Sequence, residues 1–342
     1  MSMIKQRNYS LDLIRIIACL MIIMTHSPLP SGNASGFFLG LLSYATAPCI
    51  GLFFMVSGAL LLPVKEETDS FLKRRLGKIL GPTLFWSIIY IGYNHSQGTD
   101  HILLKELLSL PFSAQGHGVM WFMYTLTGLY LIAPILSHWL LDCGKKELEF
   151  YLILWIITLC YPLLSLFLSI QTGTTGILYY CAGYIGYFLL GHYLMKYPEA
   201  ISWKFLIPFV FITLLVPALC KWKQHDVDFY SMFWNLSIFV AIGCIAWFKG
   251  LIQYGKIIIK SEKIRTCIVL ISNLSFGIYL MHIFVMRYII WKWDWVQNID
   301  NYMGQTFIIV ILTFSLSVLC CYLLSWIPGA IYVIGYKQIK QR

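Results

Sequence analysis

Apolar residues run along this chain in stretches of 16 to 26, separated by short polar or Pro/Gly-rich breaks. A helix rising about 1.5 Å per residue needs roughly 20 such residues to cross about 30 Å of hydrocarbon. None of the stretches alternates with the period of two that a barrel strand requires. The pattern predicts an all-α, polytopic membrane bundle with about ten transmembrane helices, near 11–28, 37–62, 79–94, 117–138, 149–169, 177–195, 202–220, 229–248, 266–287 and 304–327. The longest intervening segment, 95–116, carries KELLSL and predicts a short interfacial helix on the outer side. No internal repeat and no long hydrophilic stretch is visible, so a single membrane domain over 1–342, with no extra soluble domain, is expected.

Composition excludes a soluble domain. The 342 residues are 59% hydrophobic and only 12% charged, where soluble domains carry about a quarter charged residues. The net charge of +10 does not point to nucleic acid, because the basic residues sit between apolar runs and not along one face. Lys and Arg sort by side instead. Nineteen lie before the first span, in 63–78, 139–148, 196–204 and 249–265, and after 327, against five in the alternate segments. The positive-inside rule then places both termini in the cytoplasm. The ten cysteines lie mostly within apolar runs, show no CxxC spacing and read as small core residues with no metal role. The basic start followed by an apolar stretch resembles a signal peptide, but Asp12 and Arg15 interrupt it and no A-x-A site follows, so an uncleaved first span is expected.

The first span, RNYSLDLIRIIACLMIIMTHS, holds Asp12, Arg15 and His26 where a plain anchor is apolar. Ionisable residues inside a span usually face the bundle interior and mark a functional pathway. Eleven residues separate Arg15 from His26, three turns plus about 20°, so both share one helix face about 16 Å apart, with Asp12 about 60° from Arg15. A cation near the cytoplasm and an imidazole past mid-membrane suit an anionic substrate entering from inside, with chemistry deeper in the protein. An imidazole can take a proton from a hydroxyl or accept an acyl group itself. The plainer reading makes Asp12 and Arg15 an interfacial pair and His26 a hydrogen-bonded core residue.

These residues also carry a resemblance. Arg15, ten residues, then His26 resembles the first-span signature of the acyltransferase 3 family of bacterial membrane acyltransferases, and SLD resembles its lead-in. Further along, GLFFMVSGALLL at 51–62 resembles the family's Phe-Phe-x-x-Ser-Gly segment, with Phe53, Phe54, Ser57 and Gly58 in place, and FLKRRLGKILGP at 71–82 its basic loop. MWFMYTLTGLYLIAPIL, CAGYIGYFLLGHYL and SFGIYLMHIF resemble its Trp-Phe, Gly-Tyr and Ser-x-x-x-Tyr-Leu-x-His segments. The resemblance implies transfer of an acyl group, usually acetyl, from acyl-coenzyme A to a hydroxyl of a cell-envelope glycan, a lipid-linked sugar or a related acceptor. It also implies a multi-pass protein of the inner (cytoplasmic) membrane, in contact with membrane lipids. His26 maps onto the essential histidine and Arg15 onto the basic residue of the motif. Many members carry an extracytoplasmic esterase-like domain; without one, this chain works alone or hands the acyl group to a separate extracytoplasmic partner.

His26 and Arg15 are therefore the catalytic candidates. The substrate-binding candidates are Arg74, Arg75, Lys78, Asp12, Ser57, Trp121, Tyr184 and His282. The cationic cluster Lys73, Arg74, Arg75 and Lys78 suits the phosphates of coenzyme A, although plain topology and headgroup contact also explain it. His282, about sixteen residues into an outward-running span, falls at a depth similar to His26; it either shares substrate and proton with His26 or bonds a neighbouring helix. Trp121, Tyr124 and Tyr184 offer aromatic faces for sugar rings. GxSxG is absent, so Ser57 does not read as a hydrolase nucleophile. The rival function is a secondary transporter or flippase for glycan or small solute, but the matching broken spans of such proteins are not visible. A sensory or scaffold domain is a further rival and would tolerate loss of His26.

Overall fold

The structure, a computed structural model, describes residues 7–27, 34–98, 103–113, 120–165, 168, 173–223 and 233–338. Among these the regular structure is helical, without a β-strand. The helices are α1 (Tyr9–His26), α2 (Ala34–Thr46), α3 (Cys49–Leu61), α4 (Thr68–Ser96), α5 (Leu103–Ser109), α6 (Trp121–Asp142), α7 (Lys145–Leu159) and α8 (Tyr161–Leu164). They continue with α9 (Ile185–Lys196), α10 (Trp203–Trp222), α11 (Ile238–Ile258), α12 (Glu262–Phe284), α13 (Asp294–Gln297), α14 (Tyr302–Leu324) and α15 (Ile331–Ile334). Eight helical stretches among the described residues are long and apolar enough to cross a membrane. The short helix expected within 95–116 is α5.

Four expected spans take a different form. Residues 79–94 are the second half of α4, which is helical over all 29 residues from its basic first turns onward. The run 177–195 becomes a 3-10 turn at Tyr179–Cys181 and the 12-residue α9, which at about 1.5 Å per residue is too short for the hydrocarbon. All nine residues from Gly186 to Leu194 are buried. A helix enclosed by protein on every side is as apolar as one facing lipid, so composition could not separate the two cases. The expected span 229–248 is displaced: residues 229–232 lie outside the described residues, and α11 begins after its cap Ser237, whose side chain accepts from Val240 N–H, and runs to Ile258. Lys249 is the reason for the misplaced end. Its Nζ donates to the Pro198 carbonyl at 2.7 Å and sits over the Trp203 ring, so the charge is partnered within the helix.

By contact the chain forms two compact units. The first comprises Met1–Thr25, Pro30–Leu60 and Lys145–Asn273, and the second His26–Leu29, Leu61–Gly144 and Leu274–Arg342.

Within the first unit the expected span 37–62 is broken at Ala47–Pro48. Proline lacks the N–H that would continue the ladder, and carbonyls beside the break also accept from side chains of α11. Trp247 Nε1 donates to Ala45 O at 3.0 Å and the Cys244 thiol to Pro48 O at 3.4 Å. Partners of this kind help a helix to break at membrane depth. The helices α3 and α9 meet backbone to backbone. A Cβ at Gly58 would stand 1.8 Å from the Phe188 carbonyl oxygen, and one at Gly191 1.9 Å from that of Met55. Only glycine permits this reciprocal approach.

Within the second unit, α4 packs on α6 and α15. Trp86 Nε1 donates to Val333 O at 2.9 Å, and the Ser137 hydroxyl accepts from Val64 N–H at 2.8 Å while donating to Ala133 O. The C-terminal half of α12 lies close against α14 and α15, since a Cβ at Gly277 would meet Cys321 Sγ and Ile334 Cβ at 2.8 Å.

Candidate active site

His26 ends α1 and His282 lies in the last turn of α12. Both belong to the second unit, and their rings face each other with centroids 5.4 Å apart. His282 is fully buried. Its Nδ1 bonds the Tyr279 carbonyl, which fixes Nδ1 as the N–H of the neutral ring and leaves Nε2 as an acceptor. That Nε2 is buried and has no hydrogen-bond partner among the described residues. An unsatisfied buried acceptor costs about 1–3 kcal/mol, and buried polar groups are partnered in the great majority of cases. Here the exception stands beside a second imidazole, where a hydroxyl proton would complete it.

The surroundings continue the site. Tyr279 packs on His282 at 5.5 Å and Phe122 on Tyr279 at 5.1 Å, and Trp121, the expected cavity aromatic, follows at the start of α6. At His282 the backbone of α12 bonds a side chain from α4. The Tyr90 hydroxyl, reaching over from α4, donates to Leu280 O at 2.9 Å and accepts from Phe284 N–H at 3.1 Å. Those two groups stand one helical turn apart on either side of His282, so the hydroxyl ties both to α4. A π turn follows at Val285–Ile289, a form that often accompanies functional sites. Arg287 lies in this turn, within electrostatic range of both imidazoles. Neither Tyr90 nor Arg287 was singled out from sequence. A buried tyrosine in an apolar run carries no distinguishing signal, and Arg287 read as the first residue of a loop.

The other basic candidates of this unit lie on α4. Arg74 is exposed and pairs with Glu66, Arg75 is half-buried, and Lys78 is exposed. The remaining candidates belong to the first unit. Arg15 is half-buried in α1. Asp12 is buried, and both its oxygens are engaged: Arg7 forks onto it through Nε at 2.6 Å and Nη2 at 3.1 Å, and the Ser272 hydroxyl donates at 2.6 Å. Arg7 also donates to Asn273 Oδ1 at 3.0 Å, so the fork ties the start of α1 to α12. Ser57 is half-buried in α3, and Tyr184 stacks on Phe54 at 5.0 Å, which joins two of the motif segments singled out above. Among the described residues no three His, Cys, Asp or Glu side chains gather to hold a metal ion.

No curated protein and no solved structure matches the chain. A family model for an acyltransferase domain does match it, over residues 8–326 of 342. The match takes in α1 with its Arg15 and His26, the His282 segment and nearly all that lies between and beyond them, so the chain belongs to the acyltransferase 3 family and is an acyltransferase.

Proposed function

We propose that the protein is an O-acyltransferase of the inner membrane, with both termini in the cytoplasm, that moves an acetyl group from cytoplasmic acetyl-coenzyme A to a hydroxyl of a cell-envelope glycan or lipid-linked sugar. The observation that carries this reading is the pair His26 and His282, with the buried, unpartnered Nε2 of His282 at its centre. In the reaction the acceptor hydroxyl gives its proton to an imidazole as its oxygen attacks the thioester carbonyl. The C–S bond breaks, the C–O ester bond forms, and the proton passes to the departing thiolate to release coenzyme A as the thiol. His26, half-buried and therefore reachable, is the general base. His282 holds the acceptor hydroxyl or the His26 ring in line, its own tautomer set by Tyr279. The cation of Arg287 favours the negative charge that develops on the carbonyl oxygen. Alignment of base, thioester and hydroxyl in a dry site supplies much of the rate. Arg15, Arg74, Arg75 and Lys78 guide the anionic donor.

The test is transfer of radiolabelled acetyl from acetyl-coenzyme A into envelope glycans by membranes holding the wild-type chain or His26→Ala. Label incorporated by the wild type and lost in the variant at equal expression supports the reading. Undiminished incorporation by the variant removes His26 as base, and a wild type that neither binds nor uses acetyl-coenzyme A removes this donor.

A further inference from the structure

In the first unit a cavity of about 440 Å³ lies at the entry to α1, within the range of about 300–1,000 Å³ typical of small-molecule sites. Three cations from three elements converge on it: Arg7 ahead of α1, Lys256 in the last turn of α11 and Arg265 near the start of α12. Tyr9 and Ile259 give it an apolar wall, Asn8 and Ser10 line it with polar groups, and among the described residues no carboxylate does. All three cations are exposed, so water screens their repulsion, and an anion among them would relieve it further. The one carboxylate near Arg7, that of Asp12, is already occupied by the Arg7 fork and the Ser272 hydroxyl and does not face the cavity. Among the described residues neither Lys256 nor Arg265 forms an ion pair. Arg265 rests over the Tyr9 ring at 5.7 Å, which holds the guanidinium in place with its N–H edge available.

We propose that this cavity binds a phosphate-bearing ligand, with Lys256 and Arg265 on the phosphate and Arg7 held at its edge by Asp12. Guanidinium and ammonium donors around a small polar void are the usual means of holding a phosphate. The cavity is built from the ends of three candidate membrane spans, Tyr9–His26, Ile238–Ile258 and Glu262–Lys292, and span ends lie near the headgroups of a bilayer. The phosphate therefore comes either from a lipid headgroup or from a soluble nucleotide, such as the adenosine 3′-phosphate of an acyl-coenzyme A. The inference stands on phosphate chemistry alone and does not require acyl transfer.

The experiment measures binding without turnover by the purified full-length chain, using adenosine 3′,5′-bisphosphate by calorimetry and phosphatidylglycerol retention in mixed-lipid nanodiscs by native mass spectrometry. Lys256→Gln with Arg265→Gln is expected to weaken one of the two about tenfold or more, as loss of charge-assisted contacts does, and added salt is expected to weaken wild-type binding of the same probe. Lys256→Arg with Arg265→Lys keeps the charge and is expected to keep binding, and His26→Ala to leave it unchanged. A nucleotide-only effect assigns the soluble source and a lipid-only effect the headgroup. A wild type that binds neither probe, or a Gln/Gln variant that folds and binds both like the wild type, overturns the proposal.

Discussion

Tyr90 braces the helical turn that carries His282: its hydroxyl donates to the Leu280 carbonyl and accepts from the Phe284 N–H, one bond on each side of the histidine. The residue is almost wholly buried, so the bridge has no water to replace it. Tyr90→Phe is expected to cost about 1–2 kcal/mol of stability. Acyl transfer should then fall more than stability alone explains, since His282 lies inside the turn that the hydroxyl braces. Thermal unfolding and transfer rates measured on one preparation check this, and a variant as active as the wild type would show that the bridge does not position the imidazole.

The two histidines should behave as a unit. His26→Ala is expected to lower the transfer rate by about 10²–10⁴-fold, the usual contribution of a general base, and His282→Ala by a smaller factor. The double variant should be no slower than His26→Ala alone, because groups that act together are not additive. Independent, multiplying losses in a kinetic cycle would mean that the rings serve separate steps.

Gly58 has no room to grow. A Cβ there would meet the Phe188 carbonyl at 1.8 Å, a backbone atom that no rotamer change can move aside. Gly58→Ala is expected to lose more than about 3 kcal/mol or to fail to accumulate, whereas Gly128→Ala, with nothing within 4 Å, should be neutral or stabilising by up to about 1 kcal/mol. Expression level and melting temperature of the two variants decide it.

Green fluorescent protein fused after Arg342 should fluoresce, and alkaline phosphatase fused at the same place should be inactive, as the excess of Lys and Arg on that side requires. The opposite pair of results would invert the membrane orientation and with it the side from which the donor arrives.

The sequence made legible what depends on length and apolarity. The order of the helices and the unusual presence of His26 and His282 within long apolar runs were readable, because an ionisable group amid apolar residues is conspicuous whatever surrounds it. Partnership was not readable. Asp12 belongs to a fork from Arg7 and a hydroxyl 260 residues away, and spacing along one helix cannot report a bond to another. Lys249 looked like the end of a span because its partners, the Pro198 carbonyl and the Trp203 ring, come from a separate segment. The buried α9 looked like a membrane span because protein interior and lipid select the same side chains. That His282 leaves one nitrogen unsatisfied emerges only once every neighbour is in place.

The π turn at Val285–Ile289 divides its span into two segments that can be altered separately. Such a turn carries one residue more than a regular helix would need. Removing that residue would close the ladder and rotate everything beyond it by about 100°, carrying Tyr288 away from its stacking partner Tyr93, while His282 on the near side kept its place against His26. A lineage can therefore remodel what this helix presents at its far end, including its aromatic group, through a single insertion or deletion that leaves the imidazole pair untouched.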